Sequence, residues 1–388
     1  MNILSISSIL PIPGIVDTND FIFQTYINYR KTYSDDTVVI FKPVRYSLNP
    51  RAILRGTTPL NQLRKQYRRE VEGFHVEILP YLSSWRLVNL HALITRSIYY
   101  LNRRRIKRLF SEYSFDVIHG QYIFSDGFLA RKLGRRYRIP YFITSHNERR
   151  YFEHRISRRI ALGILRNAFR VLPLSYFNYS YFLTLGLENT LLSPLGFYDD
   201  FVRPQKPDRG GRVKIFTAAL LIKLKNIDKV ILALSKLVEK YDISFAIYGD
   251  GPERESLEKL VGSEHLEGMV TFHGQVSHEQ IADEMYKHDI FIMPSFFETF
   301  GRVYFEAMAM GIPIICARNS GIYGIFKEYA EGISVDHYNI DDIARALEHL
   351  IADPGERLRI GKNGQDLVKN YTWHQVTKSL HSHYTASL

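Results

Sequence analysis

A chain of 388 residues that is 45% hydrophobic is too long for one ordinary core and rich enough in apolar side chains for two, each of roughly 150–200 residues. A single cysteine, Cys316, excludes an internal disulfide and a cysteine-based metal site, and it fits a reducing compartment. The net charge of +11 comes from residues 1–200, where 29 Lys and Arg face 15 Asp and Glu; the remaining residues hold 22 and 25.

The N-terminus, "MNILSISSILPIPG", has no basic stretch ahead of its apolar run and meets Pro11 and Pro13 early. That predicts a first β-strand rather than a signal peptide, with the cytoplasm as the default compartment. Strand-like runs then alternate with helical ones. The first half holds "TVVIFKPV", "FHVEILP", "DVIHG", "YFITSH" and "VLPLS"; the second holds "VKIFTAAL", "SFAIYG", "MVTFHG", "DIFIMPS" and "IPIICA". Such alternation predicts parallel sheets with helices on both faces. Between the two series, "RPQKPDRGGRV" (203–213) is dense in Pro, Gly and charge and reads as a linker. The expected division is a first domain over 1–203, a linker over 204–212, a second domain over 213–370, and a final helix over 371–388 packing back toward the first. The fold class is α/β, two doubly wound Rossmann-like domains facing a cleft, and ligands of such sheets bind beyond the carboxyl ends of the strands.

The basic segments of the first half are "RKQYRRE" (64–70), "NRRRIKRLF" (102–110), "RKLGRRYR" (131–138) and "RRYFEHRISRR" (149–159). They read as solvated helix faces, or as patches drawn to an anionic membrane surface, or to nucleic acid. Over 98–110, Ile98, Leu101, Ile106, Leu109 and Phe110 share one broad helical face with most of the arginines opposite, a pattern that favours an amphipathic or membrane-surface helix over base readout. No run reaches roughly 18 uninterrupted apolar residues, so no transmembrane helix is expected.

Three loops of the second series carry chemistry. After "VKIFTAAL" comes "LIKLKNIDKVILALSKLVEKY", in which Lys223 and Lys225 precede a helix start. Cations beside the positive end of a helix dipole and its free amides make an anion site suited to phosphate, or they are ordinary solvated lysines. After "SFAIYG" comes "GDGPERESLEKLV", whose glycines, Gly249 among them, serve a tight turn or a close backbone approach to a nucleotide. After "DIFIMPS" comes "FFETFGRVYFEAMAM", a loop followed by a helix apolar on nearly every face.

Two acids stand in that last segment, Glu298 and Glu306, with seven residues between them. A carboxylate inside a buried helix is costly unless it is neutralised or given donors. Glu306 therefore either pairs with Arg302, one turn earlier, or accepts hydrogen bonds from a ligand diol such as a ribose. Glu298, at the carboxyl end of the strand, is placed for a second polyhydroxy group, and the amides after Gly301 are placed for the phosphates between. Ribose, diphosphate and sugar in a line outline a nucleotide sugar.

At these residues the sequence resembles the family-4 glycosyltransferases, retaining enzymes of the GT-B fold. The likeness rests on the Glu-x7-Glu signature in "PSFFETFGRVYFEAMAMGIPII" and on "YGDGPERESLEKL", "VTFHGQVSHEQI", "SPLGFYDDFVRP" and "FDVIHG…DGFLARKL…IPYFITSHN". It implies that Glu298 contacts the donor sugar and Glu306 the ribose. Lys225 would hold the diphosphate, with Lys223, Phe300 and the backbone of Gly301, Arg302 and Val303 around the donor, and Val276 would lie against the base. Gly14 would approach donor and acceptor from the first domain, and His146 would stand near the reacting sugar. Catalysis would then rest on Glu298, His146 and Lys225, with no cofactor and no metal. The implied partners are a nucleotide sugar and a glycan or lipid-linked acceptor, with an anionic membrane surface for the basic half and no nucleic acid. The location would be the cytoplasm or the cytoplasmic membrane face.

Two departures stand out. The arginine that the family usually carries five residues before the lysine is Leu220 here, and the N-terminal loop offers Gly14 alone in place of a glycine pair. A hydrogen bond to a charged group is worth roughly 1.5–3 kcal/mol, so the loss of that arginine would weaken donor binding about ten- to a hundredfold unless Lys223 or Arg302 replaces it. The rival readings are a nucleotide-sugar epimerase or hydrolase on the same fold, and a non-catalytic or nucleic-acid-binding protein.

Overall fold

A computed structural model describes residues 1–10, 21–46, 68–82, 96–207 and 210–388. It divides into two units, one formed by Met1–Leu174, Asn178–Ser193 and Val376–Leu388, the other by Ser175–Phe177 and Pro194–Gln375.

The first unit is built on β1 (Asn2–Ile6), β2 (Thr37–Tyr46), β3 (Arg68–Val71), β4 (Phe74–Leu82), β5 (Val117–Gly120), β6 (Tyr141–Ser145) and β7 (Arg170–Pro173). They form one sheet in the order β3-β4-β2-β1-β5-β6-β7. All neighbours run parallel except β3, which pairs antiparallel with β4 through the two-residue loop Glu72-Gly73. Alternate residues of each strand enter opposite cores, as the two-residue strand period requires. Leu4, Val39 and Ile118 pack under the helices Arg96–Glu112, Asp126–Tyr137 and Arg155–Leu165, while Ile3, Ile40 and Val117 join a core on the other face. Both faces are covered, the arrangement under which an all-apolar parallel strand is stable.

The last helix, Trp373–Thr385, reaches that second core through Leu380 and Tyr384. Tyr384 Oη lies 2.6 Å from His119 Nδ1, and His119 Nε2 lies 2.8 Å from Thr144 Oγ1. Burial holds the His119 imidazole down at about 3, so it is neutral and takes part in hydrogen bonds without a charge.

The second unit carries β8 (Val213–Ala218), β9 (Ile243–Tyr248), β10 (Val270–Gly274), β11 (Ile290–Met293), β12 (Ile314–Ala317) and β13 (Ile333–Val335), all parallel, in the order β10-β9-β8-β11-β12-β13. This is the doubly wound order, in which the direction of winding reverses between the first and fourth strands. Here that point falls between β8 and β11. Its core includes Ile215, Ile231, Ile247, Ile292 and Leu347, from strands and from the helices Ile227–Ser235 and Ile340–Ala352.

Candidate functional site

Because β8 and β11 are neighbours, the loops that follow them open side by side at the carboxyl edge of the second sheet. Three hydrogen bonds stitch the loops together. The Phe296 amide donates to the Leu224 carbonyl over 2.8 Å, Ser295 Oγ donates to the same carbonyl over 3.2 Å, and Asn226 Nδ2 donates to the Pro294 carbonyl over 2.8 Å. The first loop closes as a 3₁₀ turn over Lys223–Lys225 and leads straight into the helix Ile227–Ser235.

Within this frame the structure brings Lys225 and Glu298 into direct contact. Lys225 Nζ is 2.5 Å from Glu298 Oε2, and both side chains are only 17–19% exposed. Ser295 Oγ approaches the same oxygen at 3.4 Å, the Glu298 amide donates to Ser320 Oγ over 2.7 Å, and its carbonyl accepts from the Gly321 amide over 3.1 Å. Gly301 caps the helix Arg302–Ala309 with φ at 77°. A Cβ there would stand 2.6 Å from the Tyr304 ring and 3.1 Å from Glu298 Cγ, so the position demands glycine for both conformation and room. Tyr304 locks the helix onto the strand by donating from Oη to the Met293 carbonyl over 2.5 Å.

Glu306 lies inside this helix, 7% exposed, with no hydrogen bond or ion pair among the described residues. Burial raises its carboxyl to about 7, against the pull of the Arg302 charge. Arg302 is not its structural partner. The guanidinium is turned over the Tyr198 ring at 5.8 Å, and its Nη1 is buried without an acceptor among the described residues. A buried carboxyl left open in this way is the feature that a ligand hydroxyl would satisfy.

Lys223 is exposed in the same turn as Lys225, and Val303 is half-buried in the first turn of the helix. Val276 is half-buried in the loop between β10 and the helix His278–Met285. Phe300 is buried and stacks on Phe305 at 4.4 Å between ring centroids, so its side chain serves the core. Gly249, with φ at 123°, would drive a Cβ to 1.9 Å from the Ala219 carbonyl oxygen. The contact that requires glycine there is the neighbouring backbone. Leu220, in the position of the missing arginine, is 60% exposed. Gly14 lies outside the described residues.

His146 belongs to the first unit, at the end of β6, where its ring stacks on Tyr122 at 4.3 Å. Burial holds it down at about 3, and its Nε2 is buried with no hydrogen-bond partner among the described residues. Two buried carboxyls of the same unit give no signal in the sequence. Asp126 accepts from the Ser8 amide at 3.1 Å, and Glu148 accepts from the Ile123 amide at 2.9 Å. Burial raises them to about 7 and about 8. In the second unit the overlooked positions are Ser295, Ser320 and Gly321, which hold Glu298; small residues in "PSFF" and "NSG" give no periodic signal.

Residues 47–196 match the glycosyl transferase 4-like domain, and residues 199–367 match the glycosyl transferases group 1. Over 144 residues the chain is 33% identical to alpha-D-kanosaminyltransferase of Streptomyces kanamyceticus, covering 37% of each protein. It thus spans less than half the length of this curated relative. Among solved structures, sucrose-phosphate synthase of Thermosynechococcus elongatus superposes with a TM-score of 0.70 at 19% identity, covering 99% of this chain and 98% of that one. Anabaena Alr3699/HepE in complex with UDP does so with a TM-score of 0.70 at 18% identity, covering all of both chains, and the same protein is also known with UDP-glucose. With its two halves matched in turn to glycosyltransferase domains and its fold shared along its whole length, the chain belongs to the glycosyltransferases of the group 1 and 4-like type and has their GT-B fold.

Proposed function

We propose that the protein is a retaining, metal-independent glycosyltransferase that moves a hexose-type sugar from a nucleoside diphosphate sugar to a hydroxyl of a glycan or lipid-linked acceptor, in cell-surface polysaccharide or glycoconjugate synthesis. The observation that carries this reading is the Lys225–Glu298 pair at the point where the sheet order reverses, with the open carboxyl of Glu306 on the helix that follows. UDP and UDP-glucose bound to the Anabaena protein of the same fold support the choice of donor class.

In this reading Glu306 takes the ribose diol, and Lys225, Lys223 and the amides of Gly301, Arg302 and Val303 take the diphosphate. Val276 lies against the base. Glu298 accepts from the sugar hydroxyls while it holds the Lys225 ammonium in place. His146 and Gly14 keep the role near the reacting sugar that the resemblance implies. Transfer breaks the bond between the anomeric carbon and the diphosphate oxygen, whose electron pair leaves with the phosphate. The acceptor oxygen forms its bond on the same face, and its proton passes to the departing phosphate. Charge builds on that phosphate in the transition state, and a fixed ammonium with oriented amides stabilises it there without needing a cation. Lys223, or Arg302 with its buried Nη1 free of a hydrogen-bond partner among the described residues, takes the place of the missing arginine at Leu220 in this reading.

No helix among the described residues is long and apolar enough to cross a membrane. We place the protein in the cytoplasm, held at an anionic membrane face by its basic first half. The test of function is incubation of a panel of UDP-, GDP- and ADP-sugars with and without acceptor glycans. Acceptor-dependent release of the nucleoside diphosphate, with the anomeric configuration retained in the product, is the expected result. Conversion of the donor at the same rate with no acceptor would make the protein an epimerase or hydrolase instead.

A further inference from the structure

On the outer side of the first unit, the helices Arg96–Glu112 and Asp126–Tyr137 leave a groove of about 430 Å³ between them. Their inner sides are fixed by Ile98, Ile106 and Leu109 on one helix and Leu129 and Leu133 on the other, all buried in the same core. The groove is lined by Arg103, Arg104, Lys107, Lys132 and Arg136 together with Tyr99, Tyr100 and Tyr137. Five cations and three tyrosines meet there, with no carboxylate in the lining among the described residues.

The distribution of ion pairs along the first helix shows that this is not a property of the whole surface. Arg105 and Arg108, on its other side, gather with Arg68 on Glu77 and Glu112. None of the five groove cations ion-pairs with an acid among the described residues. Lys132 Nζ instead lies 5.3 Å from the Tyr99 ring centroid and 5.9 Å from that of Tyr100, and the Arg136 guanidinium lies 5.7 Å from that of Tyr137. Five like charges held in one concave site repel one another, and a ligand with clustered negative charge relieves that repulsion. Tyr100 and Leu101, at the rim on the same helix, are 59% and 54% exposed. Apolar rings and a leucine beside arginines suit the boundary between acyl chains and head groups, where such side chains bury their apolar parts and leave the charge in water.

We propose that this groove is a discrete seat for the phosphate-bearing head group of an anionic membrane lipid. The proposal rests on the reading that the protein works at an anionic membrane face, and it narrows that attraction to five cations on two helices.

Flotation with phosphatidylcholine vesicles, with and without phosphatidylglycerol, tests it on the full chain. The double variant Lys132→Ala/Arg136→Ala removes two groove charges, and Arg158→Ala/Arg159→Ala removes two exposed charges from the helix Arg155–Leu165 outside the groove. Binding to the anionic vesicles is expected to fall about 30-fold in the groove variant and less than about threefold in the control variant. The charge-preserving swap Lys132→Arg/Arg136→Lys is expected to bind like the wild type. Equal losses in the groove and control variants would show diffuse attraction and overturn the proposal, as would a swap that binds as poorly as the alanine variant. Inorganic pyrophosphate or duplex DNA binding the groove more tightly than the vesicles would assign it to a soluble anion or to nucleic acid, against the proposal. Nucleoside diphosphate binding, measured on the same variants, is expected to stay unchanged, so failure here is distinct from failure of the donor site.

Discussion

Replacing Glu306 by glutamine should stabilise the second unit at alkaline pH while harming its ligand chemistry. In the folded chain burial raises this carboxyl from an ordinary value of 4.5 to about 7. The folded state therefore holds the proton more tightly than the unfolded one. The corresponding stability is fully present below about pH 4.5, falls away as the pH rises toward 7, and is gone above that. The difference between the two values corresponds to about 3 kcal/mol. Glutamine keeps the shape and has no proton to lose. Glu306→Gln should then nearly match the wild type at pH 4 and exceed it by up to about 3 kcal/mol at pH 8, or roughly 6–12 °C in melting temperature for a unit of this size. Scanning calorimetry at the two pH values, following the transition of the second unit separately because two-unit chains need not melt in one step, reads this directly. A variant that melts at or below the wild type at both pH values would refute the reasoning, since Glu306 would then be an ionised group with donors of its own.

Glu298→Gln should leave Lys225 free for phosphate, so nucleoside diphosphate binds as tightly as before or more so in calorimetry, while transfer in a product assay falls about ten- to a hundredfold with the lost charged hydrogen bonds to the sugar. Gly249→Ala should destabilise the second unit by roughly 3 kcal/mol or more in urea melts, because the new Cβ would meet the Ala219 carbonyl at 1.9 Å in a backbone conformation that alanine resists. Tyr384→Phe should cost the first unit about 1–3 kcal/mol by stripping His119 Nδ1 of its close partner in a buried site, where Tyr26 Oη is left only at 3.5 Å, with hydrogen exchange in the last helix rising accordingly.

The parts of this fold that follow from a repeating period were legible in the sequence. The apolar strand runs, the helix after Lys225 and the buried helix around Glu306 each announce themselves through spacing that only one element satisfies. Less regular elements did not. The strand β3 reads as a charged run because it is an exposed edge, with Arg69 half-buried and its neighbour Arg68 reaching Glu112. The three-residue β13 is too short to show alternation. At the site, residue types and spacing pointed to Lys225, Glu298 and Glu306, but spacing carries no distances. It predicts separate tasks for the lysine and the first acid, whereas the structure joins them at 2.5 Å, because β8 and β11 lie side by side although 71 residues separate Ala218 at the end of one from Ile290 at the start of the other. Phe300 shows the same limit of spacing. Its place beside the loop is visible in sequence, but the stacking on Phe305 that turns it into the core is not. The buried acids Asp126 and Glu148 gave no signal at all, since each depends on a backbone amide from a different loop.

In the proposed function, Lys225 and Glu306 hold the two ends of one nucleoside diphosphate. Titration calorimetry of the wild type, Lys225→Ala and Glu306→Ala with UDP, GDP and ADP tests it most directly. One of the three nucleotides should bind the wild type, and both substitutions should weaken that binding about tenfold or more. Undiminished affinity in both variants, or a wild type that binds none of the three, would contradict it.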